Sequence, residues 1–313
     1  MPSMNKMSEL SVDLGRGLRL RSPLMAASGT FGYGFDAPLV DRLALGAIVT
    51  KGTTPQPREG NAPVRIAETP SGMLNAIGLQ NPGVDHVVRV FAPQWAGWDL
   101  PVIVNVAGDR VEDYVGVARR LDGIAGIAGL ELNISCPNVA NGLLFGLDPR
   151  LAAELTAAVR TATRLPIVVK LTPNVTDIVA VGRAVEAAGA DAVSAVNTYL
   201  AMAIDVRRRR PRISRQAGGL SGPAIKPLAL QAVWQLAGAL TIPVIGVGGI
   251  TTTEDALEFL MAGASAVQLG TVNYVRPTAA REIHYGIAGY LRNHGLDDLR
   301  ALAIRPLRQR VHA

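Results

Sequence analysis

The chain has 313 residues, 49% of them hydrophobic and 18% charged, at a mean hydropathy of +0.24. That composition excludes disorder and demands a large core with fully buried strands. Apolar runs are broken by Gly, Pro or charge short of the ~18 residues that cross a bilayer, and the opening MPSMNKMSEL lacks a secretory core, so a cytoplasmic location is expected. A net charge of +6 and a pI near 9.8 raise nucleic acid or an anionic small molecule as partners. Aromatics are only 4%, and the dense basic run Arg207, Arg208, Arg209, Arg210, Arg212 and Arg215 has no Tyr or Phe on which bases could stack. Nucleic-acid binding is therefore not expected.

In chain order, residues 10–20 read as a small hairpin. Short β-branched runs follow at 24–27, 47–50, 102–105, 130–133, 167–171, 192–196, 244–246 and 266–269. They lack the alternation of a half-exposed sheet, which predicts parallel strands buried on both faces. Eight such strands alternating with helices predict one closed (β/α)8 TIM barrel, an α/β domain over residues 1–313, with the hairpin at its bottom. Helix starts are legible between them. Asp148 before Pro149 offers a cap and a preset first turn, with Leu151, Leu155 and Val159 along one face. Ile178, Val181 and Val185 repeat the spacing before a stop at Gly189, and Thr252 with Asp255 makes a capping box ahead of Leu257 and Leu260. Three strand-to-helix connections are long, at 52–82, 135–147 and 198–224. In a barrel such loops build the C-terminal rim that carries the active site.

The fourth strand runs into Asn133-Ile134-Ser135-Cys136-Pro137-Asn138. As the only cysteine, Cys136 excludes disulfides within the chain and cannot supply a four-thiolate cluster. A lone cysteine is most often a small buried hydrophobe. Here polar neighbours and Pro137, which biases Cys136 toward extended backbone, suit an outward thiol, and with an ordinary pKa near ~8.5 it can serve as a general base near neutrality. Asn133 and Asn138 could read a polar heterocycle or cap turns. Only four of the 31 cations are lysines: Lys6, Lys51, Lys170 and Lys226. Lys51 closes the second strand and Lys170 lies inside the fifth, where an ammonium needs either a structural anion or an electron-rich ligand to stabilise.

Glycine turns follow the last strands at Gly246-Val247-Gly248-Gly249-Ile250 and Leu269-Gly270-Thr271, with a further one at Gly218-Gly219-Leu220-Ser221-Gly222-Pro223. Each alone can be a mere tight turn. Paired after strands seven and eight, they coincide with the phosphate site of barrel enzymes and predict a phosphate-bearing cofactor. Residues 71–83 and the pair Asn197-Thr198 also read as turns, and their place on the rim makes them candidate substrate ligands. His86, His284, His294 and His312 show no metal-ligand spacing, no HExxH, Walker loop or serine elbow occurs, and no metal is expected. The Gly246 to Gly248 pair falls too late in the chain for a dinucleotide-binding half-domain.

Together with Thr50-Lys51-Gly52-Thr53-Thr54, Pro57-Arg58-Glu59-Gly60-Asn61, Asn81-Pro82-Gly83 and Val169-Lys170-Leu171-Thr172-Pro173, these motifs make the sequence resemble the dihydroorotate dehydrogenases. Within that family it is similar to the class 1B catalytic subunit over nearly the whole chain. The resemblance implies an FMN-containing barrel that oxidises (S)-dihydroorotate to orotate in pyrimidine biosynthesis. It implies that Cys136 takes the proton from carbon 5 while the hydride on carbon 6 passes to FMN. FMN contacts are implied at Ser28, Lys51, Gly52, Asn105, Asn133, Lys170, Val196, Gly222, Gly248, Gly249, Gly270 and Thr271. Orotate contacts are implied at Lys51, Asn75, Ala76, Ile77, Gly78, Leu79, Asn133, Asn197 and Thr198. Class 2 enzymes place serine where this chain has Cys136 and carry an N-terminal extension. In class 1B, electrons reach NAD through a partner subunit holding FAD and an iron-sulfur cluster, so a heterotetramer with two copies of each chain is expected. The stretch from 207 to 215 is more basic than the pattern there, and bears on how the partner docks. Two rivals are an FMN-dependent dihydrouridine synthase acting on tRNA, which shares the barrel, FMN and a Cys-Pro, and a non-catalytic phosphate-binding barrel.

Overall fold

A computed structural model describes residues 10–35, 42–135 and 145–304. The eight apolar runs form strands β1 (Leu24–Ala26), β2 (Ala47–Val49), β3 (Val102–Val106), β4 (Gly129–Asn133), β5 (Ile167–Leu171), β6 (Ala192–Ala195), β7 (Val244–Val247) and β8 (Ala266–Leu269). Neighbours pair in parallel and β8 returns to β1, which closes a (β/α)8 TIM barrel. Each boundary falls within one residue of the sequence expectation, because the strands are delimited by local apolar runs.

A second pattern lies inside those runs. Outward residues such as Leu24, Ile48, Val104, Leu132, Val169 and Val267 pack beneath the helices. Inward residues Met25, Ala47, Ile103, Val168, Ala192, Ile245 and Ala266 fill the barrel floor. The predicted hairpin, Val12–Asp13 against Arg19–Leu20, inserts Leu14, Leu18 and Leu20 into that floor and seals it. Two residues further along the strands, on the same inward face, stand Asn105, Lys170, Ser194 and Gln268, joined by Glu131, and all five are buried. The barrel thus has an apolar floor and a polar layer above it.

The rim is backed by helices α1 (residues 84–95, with a π-wound turn at Val87–Phe91), α2 (Val111–Leu121), α3 (Pro149–Ala162), α4 (Ile178–Ala187), α5 (Lys226–Ala239), α6 (Thr253–Met261) and α7 (Ala279–Asn293). The Asp148 side chain accepts from the amides of Arg150 and Leu151 at the start of α3, and Leu155 and Val159 are buried on one face while Leu151 is half-buried. Thr252 and Asp255 form the reciprocal capping box of α6. His86 lies in α1, His284 in α7, and His294 follows α7, whereas His312 and Lys6 lie outside the described residues. Among the described residues no helix is long and apolar enough to cross a membrane.

The long loops depart from the sequence reading. Parts of 71–83 and 218–223, read as turns, are strands Gly72–Asn75 and Gly218–Ser221. With Tyr199–Ala201 and Ile66–Thr69 they make a four-stranded antiparallel sheet in the order 199–201, 218–221, 72–75, 66–69. Glycine here marks close approach of two chain segments: a Cβ on Gly219 would stand 2.2 Å from Thr198 Oγ1, and one on Gly218 2.5 Å from the Asn75 carbonyl. The pairing of 72–75 with 218–221 joins segments more than a hundred residues apart, which local pattern could not show, whereas 66–69 with 72–75 is a local hairpin that the turn reading missed. The basic stretch is an exposed hairpin, Ile204–Asp205 against Arg210–Pro211. The backbone amides of Arg208 and Arg207 hold the Asp205 carboxyl below its ordinary range.

Two clamps tie the frame together. Asp191, nearly sealed at the floor, accepts from Arg16 Nε (3.0 Å), Arg160 Nη1 (3.0 Å) and the amide of Ile167 (2.9 Å), joining hairpin, α3 and β5. Burial, with Arg16 close by, pulls the Arg160 guanidinium below its ordinary pKa, and Asp191 opposes this. Asp191→Ala would leave Arg160 without its counter-charge and is expected to cost about 3 kcal/mol in urea unfolding, against a change near zero if the pair is dispensable.

At the opposite end Asp255 accepts from Lys226 Nζ (2.7 Å) and from the amides of Thr251 and Thr252 (2.8 and 2.9 Å). Burial works to raise the Asp255 pKa, but Lys226 and the Thr251 donors outweigh it and hold it at about 2, from 3.8. Its contribution to stability is therefore complete above about pH 4 and is lost as pH falls through about 2. Asp255→Asn is expected to flatten the loss of thermal stability across that window, measured by melting temperature against pH; an unchanged acid slope would contradict this.

Candidate active site

Loops that follow seven of the eight barrel strands, with Asn105 from β3 itself, meet at a cavity of about 700 Å³ at the C-terminal rim. Every residue that the sequence assigned to cofactor or substrate contact lines it. Cys136, with Pro137 and Asn138, lies outside the described residues, and the described chain stops on the cavity wall at Ser135.

The base of the cavity is built from the polar layer. Glu131 is wholly buried and both its oxygens accept: Oε1 from Asn105 Nδ2 at 2.8 Å, Oε2 from Ser194 Oγ at 2.9 Å and from Gln268 Nε2 at 2.7 Å. Lys170 Nζ stands 3.8 Å from Oε1, so this lysine has its structural anion and also borders the cavity. The ion-pair reading of Lys170 is met, and the same residue lines the cavity. Lys51, half-buried at the end of β2, adds a second cation on another stave. Lys226 instead serves structure, bridging Asp255 and Glu258.

One wall is an amide surface. Asn197 Nδ2 donates to Asn133 Oδ1 (3.2 Å), and its own Oδ1 accepts from the Thr198 amide (2.8 Å). Asn75 Nδ2 donates to the Gly219 carbonyl (3.2 Å), which ties the wall formed by Asn75, Ala76, Ile77, Gly78 and Leu79 to the loop after β6. Beside it the lining is backbone. Gly222, Gly248 and Gly249 have φ of 94°, 132° and 75°, in the region that favours glycine. A Cβ on Gly249 would meet the Gly222 carbonyl at 2.9 Å. Ser28, Gly52, Val196, Gly270 and Thr271 complete the lining, and Thr271 Oγ1 donates to Ser221 Oγ at 2.8 Å. Cations and amides together with open glycine turns suit a planar ring that can take up negative charge and that carries a phosphate arm.

Residues beyond the sequence assignment also take part. Asn61 and Arg215 line the mouth, where Arg215 Nη2 donates to Asn61 Oδ1 (2.9 Å) and Asn61 Nδ2 donates to the Ala76 carbonyl (3.0 Å). Asn174 Oδ1 accepts from the Leu200 amide (2.9 Å), joining the loops after β5 and β6. Glu131, Ser194 and Gln268 were legible by the same criterion that singled out Lys170, a polar side chain inside an apolar strand. Asn61 stood in a motif of the family resemblance and Arg215 in the basic run, but no local signal placed either of them, or Asn174, at the cavity.

Comparison with known proteins agrees with this architecture. The family profile described as dihydroorotate dehydrogenase matches residues 10–291. Proteins named "Dihydroorotate dehydrogenase B (NAD(+)), catalytic subunit" are similar along almost their full length. That of Desulforamulus reducens is 54% identical over 295 residues, covering 94% of this chain and 97% of the relative. That of Desulforudis audaxviator is 52% identical over 288 residues (91% and 94%), and that of Porphyromonas gingivalis 51% over 298 (95% and 97%). A barrel whose rim gathers lysines, amides and a glycine turn in one cavity, in a sequence matched from hairpin to last helix, belongs to the dihydroorotate dehydrogenase family.

Proposed function

We propose that this chain oxidises (S)-dihydroorotate to orotate in pyrimidine biosynthesis, using FMN, as the catalytic subunit of an NAD-linked enzyme in the cytoplasm. The observation that carries the reading is the cavity itself, where Lys51 and Lys170 face an amide wall and a glycine turn. The names of the relatives support the substrate and the acceptor, and their designation as catalytic subunits supports a partner chain. That partner would hold FAD and an iron-sulfur cluster, in a heterotetramer with two copies of each chain.

The residues present fit FMN. Gly222, Gly248, Gly249, Gly270 and Thr271 would take its phosphate arm, since bare backbone, left-handed at the first three, admits close approach of an anion. Ser28, Lys51, Gly52, Asn105, Asn133, Lys170 and Val196 would hold the ring, and Asn105 Oδ1, buried with no partner among the described residues, is an acceptor suited to a ring N–H. When bound, FMN supplies a hydride acceptor for carbon 6 of the substrate.

The chain's own groups do the rest. Cys136 Sγ takes the proton from carbon 5, and Lys51 favours the negative charge that develops as that bond breaks. Asn75, Asn133, Asn197 and Thr198, with the backbone of Ala76, Ile77, Gly78 and Leu79, read the polar edge of the pyrimidine and fix its two reacting carbons. The sheet that joins the second and sixth strand loops roofs the cavity and limits water.

Cys136→Ala is expected to keep its yellow FMN and to lose dihydroorotate-dependent bleaching by about 10²-fold or more; unimpaired bleaching would remove Cys136 from the role of base. Anaerobic reduction by dihydroorotate followed by NAD, with and without a co-expressed partner, tests substrate and acceptor together. Reoxidation by NAD is expected only with the partner. A colourless protein that cannot take up FMN, or one that retains tRNA at moderate salt, would favour the rival readings.

A further inference from the structure

The Glu131 carboxylate has no part in the chemistry above, yet it organises the groups that do. A carboxylate can only accept hydrogen bonds. Asn105 must therefore turn Nδ2 toward Oε1, and Gln268 must turn Nε2 toward Oε2. The amide oxygens are left over: Asn105 Oδ1 and Gln268 Oε1 are both buried without a partner among the described residues. Asn105 belongs to the cavity wall, and its oxygen lies against Gly52, where a Cβ would approach to 3.1 Å. An orphaned buried acceptor is costly unless a ligand completes it. On its other side the same carboxylate faces Lys170, whose ammonium also borders the cavity. One anion thus aims an acceptor and offsets a cation, both at a single surface.

We infer that Glu131 is a positioning residue for bound FMN, an inference that rests on the FMN reading of this cavity. By orienting Asn105 it presents an acceptor to an N–H of the ring and raises affinity. By offsetting Lys170 it weakens the cation's preference for the electron-rich reduced ring and so lowers the reduction potential. A purely structural carboxylate would alter stability and leave the potential where it was.

Glu131→Gln keeps the shape and removes the charge, and it lets the Asn105 amide reverse. Titration of apoprotein with FMN and dye-coupled redox titration of the holoprotein read the outcome. Oxidised FMN is expected to bind about tenfold more weakly. The preference for reduced over oxidised FMN is expected to rise about tenfold, a potential about 30 mV higher for a two-electron couple. Glu131→Asp, which retains the charge, is expected to return the potential toward wild type even where it melts earlier. A Glu131→Gln protein that binds FMN at wild-type potential and differs only in melting temperature would overturn the assignment. If that variant does not fold, Lys170→Met is compared with Glu131→Gln/Lys170→Met, in which no buried charge has lost its partner. Because Asn105 is still oriented by Glu131 in Lys170→Met, weaker binding of oxidised FMN by the double variant supports the role and equal affinities overturn it. Wild-type protein that takes up no FMN would instead defeat the functional reading, and this inference with it.

Discussion

A carboxylate sealed inside a barrel is tolerated only if its lone pairs are met and its charge is faced by another. Glu131 satisfies that requirement with the amide nitrogens of Asn105 and Gln268, the hydroxyl of Ser194 and the ammonium of Lys170, drawn from strands β3, β8, β6 and β5. No single strand could supply these partners, so the polar layer exists only once the barrel has closed. Below it the floor is apolar and plugged by the hairpin leucines. Above it every inward group faces the cavity. The site is thus founded on a charge whose own need for partners dictates how its neighbours are oriented.

The second constraint is close packing of backbone. The sheet over the rim brings strands from the second and sixth strand loops together, and the glycines at 218 and 219 permit it because side chains there would collide with Asn75 and Thr198. At the end of β7, the turn at 248–251 is held by the Asp255 carboxylate, itself paired with Lys226. Cations and amides are therefore fixed before any ligand arrives, the condition under which oriented dipoles and charges favour a transition state without first reorganising. Asp191 does the corresponding work at the floor, away from the chemistry.

Charge is distributed unevenly between frame and surface. The Arg207 to Arg209 tip is exposed on its own hairpin, while Arg215 from the same basic stretch turns to Asn61 at the cavity mouth. One run of like residues therefore holds two different roles, a solvated tip and a strut between the loop after β6 and the wall at 76–78. Composition counted these arginines as a single feature; the fold separated them.

The sequence by itself determined the barrel, because buried parallel strands and helix caps are written in short segments: eight apolar runs found their ends to within one residue, and Asp148, Thr252 and Asp255 cap the helices they announced. It also named part of the cavity lining, since lysines in apolar strands, rim amides and glycine turns stand out locally. The family resemblance converted those into roles, which stay proposals, and Cys136 lies outside the described residues. The sheet over the rim, the Asn61 strut and the convergence of four strands on Glu131 were decided only by tertiary structure. Their partners are separated by as many as 154 residues. Pairing at that separation depends on the closed barrel bringing its loops to one end, and no local pattern encodes which distant segment will arrive.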